Sequence, residues 1–179
     1  MSAPKQHAKI AEFRRRAKAQ IGTREIVGKK HNPKVVGWFA QVGHSWVNDD
    51  ETPWCAAFIG AMLDDAGLPH TGKLNARSYL DWGVDVDIRD ALPGDVVVFW
   101  RGSPKAATGH VADYEYHTPT LIGCLGGNQR NAVRVAEYDR EQLLSIRRFP
   151  APPAKGIAGA LGAILAAILK HIFGKGKAK

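Results

Sequence analysis

A chain of 179 residues with a net charge of +8 is long enough to bury one ordinary hydrophobic core. Its two cysteines exclude a disulfide-stapled secreted scaffold, and the stretch from Met1 to His7 lacks the apolar run of a signal peptide, so synthesis in a reducing cytoplasm is expected. The charge is segregated: residues 1–30 carry +7, residues 31–154 carry −4, and residues 155–179 carry +5. Basic ends suit a polyanion, but zinc-finger spacing and basic–aromatic stripes are both missing, and nucleic acid is not expected as a partner.

Residues Ala8 to Ile21 are helix-compatible, with a basic patch at Arg14, Arg15 and Arg16. Asn32-Pro33 reads as the cap and first turn of a second helix, with Val35, Val36, Phe39 and Val42 on one face. An acidic turn, Asn48 to Glu51, then leads to a third helix. Thr52 predicts its N-cap, Pro53 its first position and Cys55 its third. Ala57, Phe58, Ala61, Met62 and Leu63 give this helix an apolar face, and Gly67 with Pro69 ends it. Ala76 to Trp82 suits a short helix. The texture changes at Pro93-Gly94-Asp95, because Val96 to Trp100 is β-branched and aromatic and predicts a buried strand. Further strands are expected at His110–Tyr114, Thr120–Leu125, Ala132–Tyr138 and Ile146–Phe149. Cys124 falls in an apolar stretch and reads as a buried strand residue. Helices first and strands afterwards predict an α+β domain over residues 1–149, its N-terminal helices packed on a small antiparallel sheet.

Residues 150–154 are a proline-rich linker. The apolar run Ile157 to Leu169 beyond it is about 20 Å long as a helix, too short for a bilayer core of about 30 Å. Ile157, Leu161, Ile164, Leu165, Ile168, Leu169 and Ile172 share one face of that helix. Residues 155–179 therefore predict a cationic amphipathic helix suited to an anionic membrane or lipopolysaccharide surface.

A thiol in the first turn of a helix faces unsatisfied N–H groups and the positive end of the helix dipole, which favours the nucleophilic thiolate. His110 opens a strand after Gly109 and is the candidate base. A third, orienting residue is expected on the next strand, where Asn128 in Gly126-Gly127-Asn128-Gln129 is placed to bond the ring; Asp113 and Glu115 have the wrong strand parity. Trp46, Trp54 and Trp100 are candidates for lining a groove. A metal site from His110, Asp113, His117, His70 or Cys124 lacks matched spacing, and Asp49, Asp50 and Glu51 lack calcium-loop spacing, so no metal or cofactor is expected.

The order of these motifs resembles the CHAP and NlpC-type papain-like cysteine peptidases, bacterial cell-wall hydrolases, and more closely a phage-associated subgroup. The resemblance rests on Asp50 to Phe58, Ala76 to Leu80, Pro93-Gly94-Asp95, Gly109-His110-Val111 and Gly126 to Gln129, with Ile21 to Ile26 and Asn32-Pro33 also similar. It runs from about Ala17 to Phe149. It implies a papain-like fold with peptidoglycan as substrate, Cys55 as nucleophile, His110 as base and Asn128 as third member. The implied activity is endolysin-like cleavage of a cell-wall amide, by an endopeptidase or an N-acetylmuramoyl-L-alanine amidase made in a host bacterium and acting at its wall. The tail stands outside this pattern, and its other reading is a membrane-disrupting antibacterial protein in which the folded part presents residues 155–179.

Overall fold

The computed structural model describes residues 3–149. Helix α1 (Ala3–Ala19) precedes α2 (Pro33–Gln41), which begins where Asn32 accepts the Lys34 N–H at 3.0 Å. Helix α3 (Cys55–Asp65) is buried along nearly its whole length. A 3₁₀ turn over Ala76–Asp81 replaces the short helix expected there. Six strands follow: β1 (Val84–Val86), β2 (Val96–Trp100), β3 (Gly109–His117), β4 (Leu121–Gly126), β5 (Arg134–Asp139) and β6 (Leu143–Arg148). They form one antiparallel sheet in the order β1-β6-β2-β3-β4-β5. This is the α+β architecture expected, with β1 added at an edge. Its three residues carry too little apolar pattern to announce a strand.

Side-chain alternation divides the sheet into two faces. Val96, Val98, Val111 and Leu125 join the helices in the larger core, with Phe13, Phe39, Trp54 and Phe58 fully buried. Burying each such aromatic contributes about 1.5–3 kcal/mol. Val97, Phe99, Ala112, Tyr114, Ile122, Cys124 and Ile146 form a second cluster on the other face. That face is strongly curled: Phe99 of β2 stacks on Tyr138 of β5 at 4.8 Å although β3 and β4 stand between them. Helix α1 is tied to β3 by Arg14, which reaches Glu115 at 2.6 Å and Asp113 at 3.4 Å. Asp113 is fully buried, and burial pushes its carboxyl up to about 7 even with the Arg14 charge opposing.

The start of α3 differs from expectation. Its N-cap is Trp54, which makes no side-chain cap bond, and Cys55 is the first helical residue rather than the third. Thr52 is diverted to Asp49, whose carboxylate takes the N–H groups of Glu51 and Thr52 and the Thr52 hydroxyl. Asp50 is buried and holds the N–H groups of Ile26 and Asn32, both at 2.8 Å, and the His31 ring at 3.0 Å. The acidic turn is thus a folded anchor for the 26–32 segment. The expected linker over residues 150–154 and helix over residues 155–179 lie outside the described residues.

Candidate active site

The first turn of α3 runs into the open end of the sheet. Pairing between β3 and β4 starts only at Asp113↔Leu125, and the Val111 N–H is turned to the Cys55 sulfur. The thiol therefore lies beside the peptide joining His110 to Val111. Two glycines permit this approach. A Cβ on Gly127 would stand 2.5 Å from Trp54 and 2.7 Å from Phe58, and one on Gly109 would stand 2.7 Å from the Phe99 carbonyl oxygen. The sequence needs Gly before the histidine and Gly before Asn128 because backbone and rings meet there without clearance.

Cys55 is 4% exposed, and burial pushes its thiol up. This corrects the expectation of a thiolate favoured by the helix start. The donors that favour ionisation are in place, namely the N–H groups of Val111, Ala56 and Cys55 with the nearby Arg101 charge, but desolvation outweighs them. His110 is likewise fully buried and drops to about 3, first through burial and then through the Arg101 guanidinium. Its ring stacks on Tyr138 at 4.9 Å and on Phe99 at 6.5 Å. In this state thiol and imidazole are both neutral.

Gln129, not Asn128, meets the ring. The His110 Nε2 lies 3.1 Å from Gln129 Oε1, while the Gln129 amide N–H groups go to the carbonyls of Cys124 and Arg134. With both donors spent, Gln129 can only accept from the imidazole, which puts the proton on Nε2 and the lone pair on Nδ1. Arg101 supplies the matching donor, its Nη2 standing 3.2 Å from Nδ1.

Asn128 points elsewhere, because it sits at φ 56° in the left-handed region that Asn tolerates better than most residues. With its amide turned to satisfy both partners, its oxygen accepts the Trp54 N–H and its nitrogen donates to Glu25, each at 3.2 Å. Asn128 thus supplies the cap that Trp54 lacks. Glu25 also takes the Trp54 indole N–H at 2.7 Å, and burial raises its carboxyl. A signal for Gln129 was present in the sequence: of an Asn-Gln pair closing a hairpin, Asn suits the positive φ and Gln has the longer reach.

The other candidates separate. Asp113 and Glu115 turn to Arg14. Trp54 is fully buried, whereas Trp46 is 73% exposed, set edge-on to His44. His117 pairs with the Tyr114 hydroxyl at 2.6 Å, and His70 takes the Gly72 N–H at 3.1 Å. Among the described residues His, Cys, Asp and Glu form no metal-binding cluster. Both cysteines are free and buried. Two clefts flank the 126–131 hairpin. One, about 320 Å³, is lined by Glu25, Ile26, Val27, Glu51, Asn128 and Asn131; the other, about 380 Å³, by Gln129, Arg130, Arg134, Ala136, Glu137 and Tyr138.

The sequence matches no family profile and no curated protein. Solved structures share the fold. A variant of the resuscitation promoting factor interacting protein RipA, altered at a cysteine, aligns with TM-score 0.53 and 15% identity, over 83% of this chain and 66% of that one. A hypothetical invasion protein of Mycobacterium tuberculosis aligns with TM-score 0.53 and 17% identity, over 83% and 65%. The P60 domain of an antigen from M. avium subspecies paratuberculosis aligns with TM-score 0.51 and 15% identity, over 80% of this chain and 96% of that domain. The fold is therefore that of the NlpC/P60-type papain-like proteins. This chain spans about two thirds of the RipA structure.

Proposed function

We propose that this chain is a cysteine-dependent hydrolase that cleaves a peptide-type amide of bacterial peptidoglycan, with Cys55 as nucleophile and His110 as base. The observation that carries the reading is the Cys55 sulfur at the origin of α3, beside the His110–Val111 peptide, with the His110 tautomer fixed by Gln129. The P60-type fold and the order of the motifs support the same substrate class.

The chemistry follows from neutral partners. The sulfur attacks the amide carbon as its proton passes to Nδ1 of His110, the ring nitrogen that carries the lone pair. The C–S bond forms and the carbonyl π pair moves to oxygen. The Cys55 N–H at the start of α3 faces that oxyanion, and losing one such donor typically costs about 10²–10³ in rate. Collapse breaks the C–N bond, and the Nδ1 proton leaves with the amine. Water, giving its proton to Nδ1, then attacks the thioester, and the departing sulfur takes that proton back. Gln129 holds the ring in the tautomer these transfers need.

The endolysin-like role in lysing a host belongs to the same proposal, as does action at the cell wall. Residues 155–179 are assigned to an anionic membrane or lipopolysaccharide surface on their composition alone. Mass spectrometry of digests of purified, lipid-free peptidoglycan tests the reading. New amino groups on stem peptides or new L-alanine termini are expected, and the product names the bond. A digest releasing only new reducing sugar ends, or nothing, overturns it. Truncation after Phe149 is expected to leave this release nearly intact and to weaken action on whole Gram-negative cells; equal potency on cells removes the tail's role.

A further inference from the structure

Arg101 stands where the reaction needs an empty lone pair. It directly follows β2, opens the loop to β3, and is exposed, yet its Nη2 reaches Nδ1 of the fully buried His110 at 3.2 Å. Its guanidinium also lies close enough to the Tyr138 hydroxyl and to Cys55 to act on both. Among the described residues no carboxylate pairs with it, a state it shares with Arg24, Arg77, Arg130, Arg134 and Arg140; what sets it apart is its contact with the buried imidazole. The loop behind it is fixed. Arg77 donates to the carbonyls of Thr108, Ser103 and Pro104, and Thr108 bonds the Arg101 carbonyl oxygen at 2.8 Å. The anchored part is backbone, and the charged end of Arg101 is held by one neutral ring.

We infer that Arg101 is a carboxylate anchor: the substrate is a peptide amide bearing a free carboxylate near the scissile bond, and pairing with that carboxylate draws the guanidinium off His110. This rests on the hydrolase reading and names its substrate class. A guanidinium–carboxylate pair is charge-assisted and bidentate, and it outcompetes a single bond to a neutral imidazole. One event then does two things. It seats the substrate, and it frees the Nδ1 lone pair while neutralising the cation that holds the ring's basicity down. Recognition and base activation are coupled, and a wall fragment lacking the carboxylate meets an occupied base.

The experiment compares two synthetic wall peptides differing only in this group, a free carboxylate against its carboxamide, on the full chain and on Arg101→Gln and Arg101→Lys, with melting temperatures to confirm folding. For the unchanged chain kcat/KM is expected to favour the carboxylate by about tenfold or more, the range of one charge-assisted pair. Arg101→Gln is expected to bring that ratio to near one and to raise the pH midpoint of His110 in the free protein, read by NMR. Arg101→Lys is expected to retain part of the preference. Equal preference in the unchanged chain and in Arg101→Gln overturns the inference while leaving the hydrolase reading standing. If neither peptide is cut by the unchanged chain while it digests whole peptidoglycan, the inferred substrate class is wrong. If whole peptidoglycan also survives, the hydrolase reading falls, and an unchanged His110 midpoint in Arg101→Gln then overturns the contact's effect separately.

Discussion

The two cysteines make the most instructive pair of places in the molecule. Both are free, both are buried, and burial raises both thiols. What surrounds them differs in sign. Around Cys55 every other influence favours the thiolate: the N–H groups of Val111, Ala56 and Cys55, and the charge of Arg101. Around Cys124, in mid-strand, the buried carboxyl of Asp113 and the partly buried one of Glu115 add to the penalty. Cys55 is thus held neutral by desolvation alone, which an entering polar substrate can change, whereas Cys124 is held neutral by its whole environment. A helix origin makes a cysteine useful through fixed donors rather than through its resting ionisation.

Substitution breaks the comparison most sharply. Cys55→Ser is expected to lower release of stem-peptide amines from purified peptidoglycan by about 10³ or more, while Cys124→Ala leaves the rate per folded molecule within about twofold. A large loss from Cys124→Ala at an unchanged melting temperature would reverse the two roles. Next in size is the hairpin. Gln129→Ala is expected to cut kcat by about ten- to a hundredfold by freeing the ring's tautomer, with a displaced pH profile. Asn128→Ala, which removes a cap from α3, is expected to cost about 1 kcal/mol of stability, seen in denaturant titration. Should Asn128→Ala shift the pH profile and Gln129→Ala leave it alone, Asn128 is the ring's partner after all.

Alkylation sharpens the same contrast without any substrate. Iodoacetamide is expected to label Cys55 about tenfold faster than Cys124 at pH 8, as peptide mapping would show. Equal rates would mean that the N–H groups around Cys55 have no effect on its reactivity. The smallest effect concerns the α1 clasp. Asp113 is raised in the folded chain to about 7 from an ordinary 3.8, so folding favours its protonated form. Its contribution to stability is complete below about pH 4 and is lost as pH climbs through about 7. The melting-temperature difference between the unchanged chain and Asp113→Asn is therefore expected to move by a few degrees against the unchanged chain between pH 4 and pH 8. A constant difference across that range contradicts the assignment.

Much of the architecture was readable because it depends on local pattern. The run Val96 to Trp100 has the composition of a buried strand, and Asn32-Pro33 has the chemistry of a helix start. The edge strand Val84–Val86 escaped because three half-exposed residues carry no period. Thr52 misled because a better acceptor, Asp49, stands three residues before it and takes its hydroxyl. At the site, Cys55 and His110 announce themselves by helix start and Gly-His. The partner on the ring depended on a backbone angle at Asn128, which follows from the hairpin's closure. Nothing local foretells Arg101 over Nδ1, since that contact follows from how the loop after β2 folds back on β3.

In the proposed reaction Cys55 carries the scissile acyl group through a thioester. Rapid acid quenching of the full chain with a soluble wall peptide, followed by intact-mass measurement and peptide mapping, tests it directly. An added mass equal to the acyl half of the substrate is expected on the fragment containing Cys55, absent from Cys55→Ser and reduced in His110→Ala. Continued turnover by Cys55→Ser, or an acyl group mapped to any other residue, would contradict it.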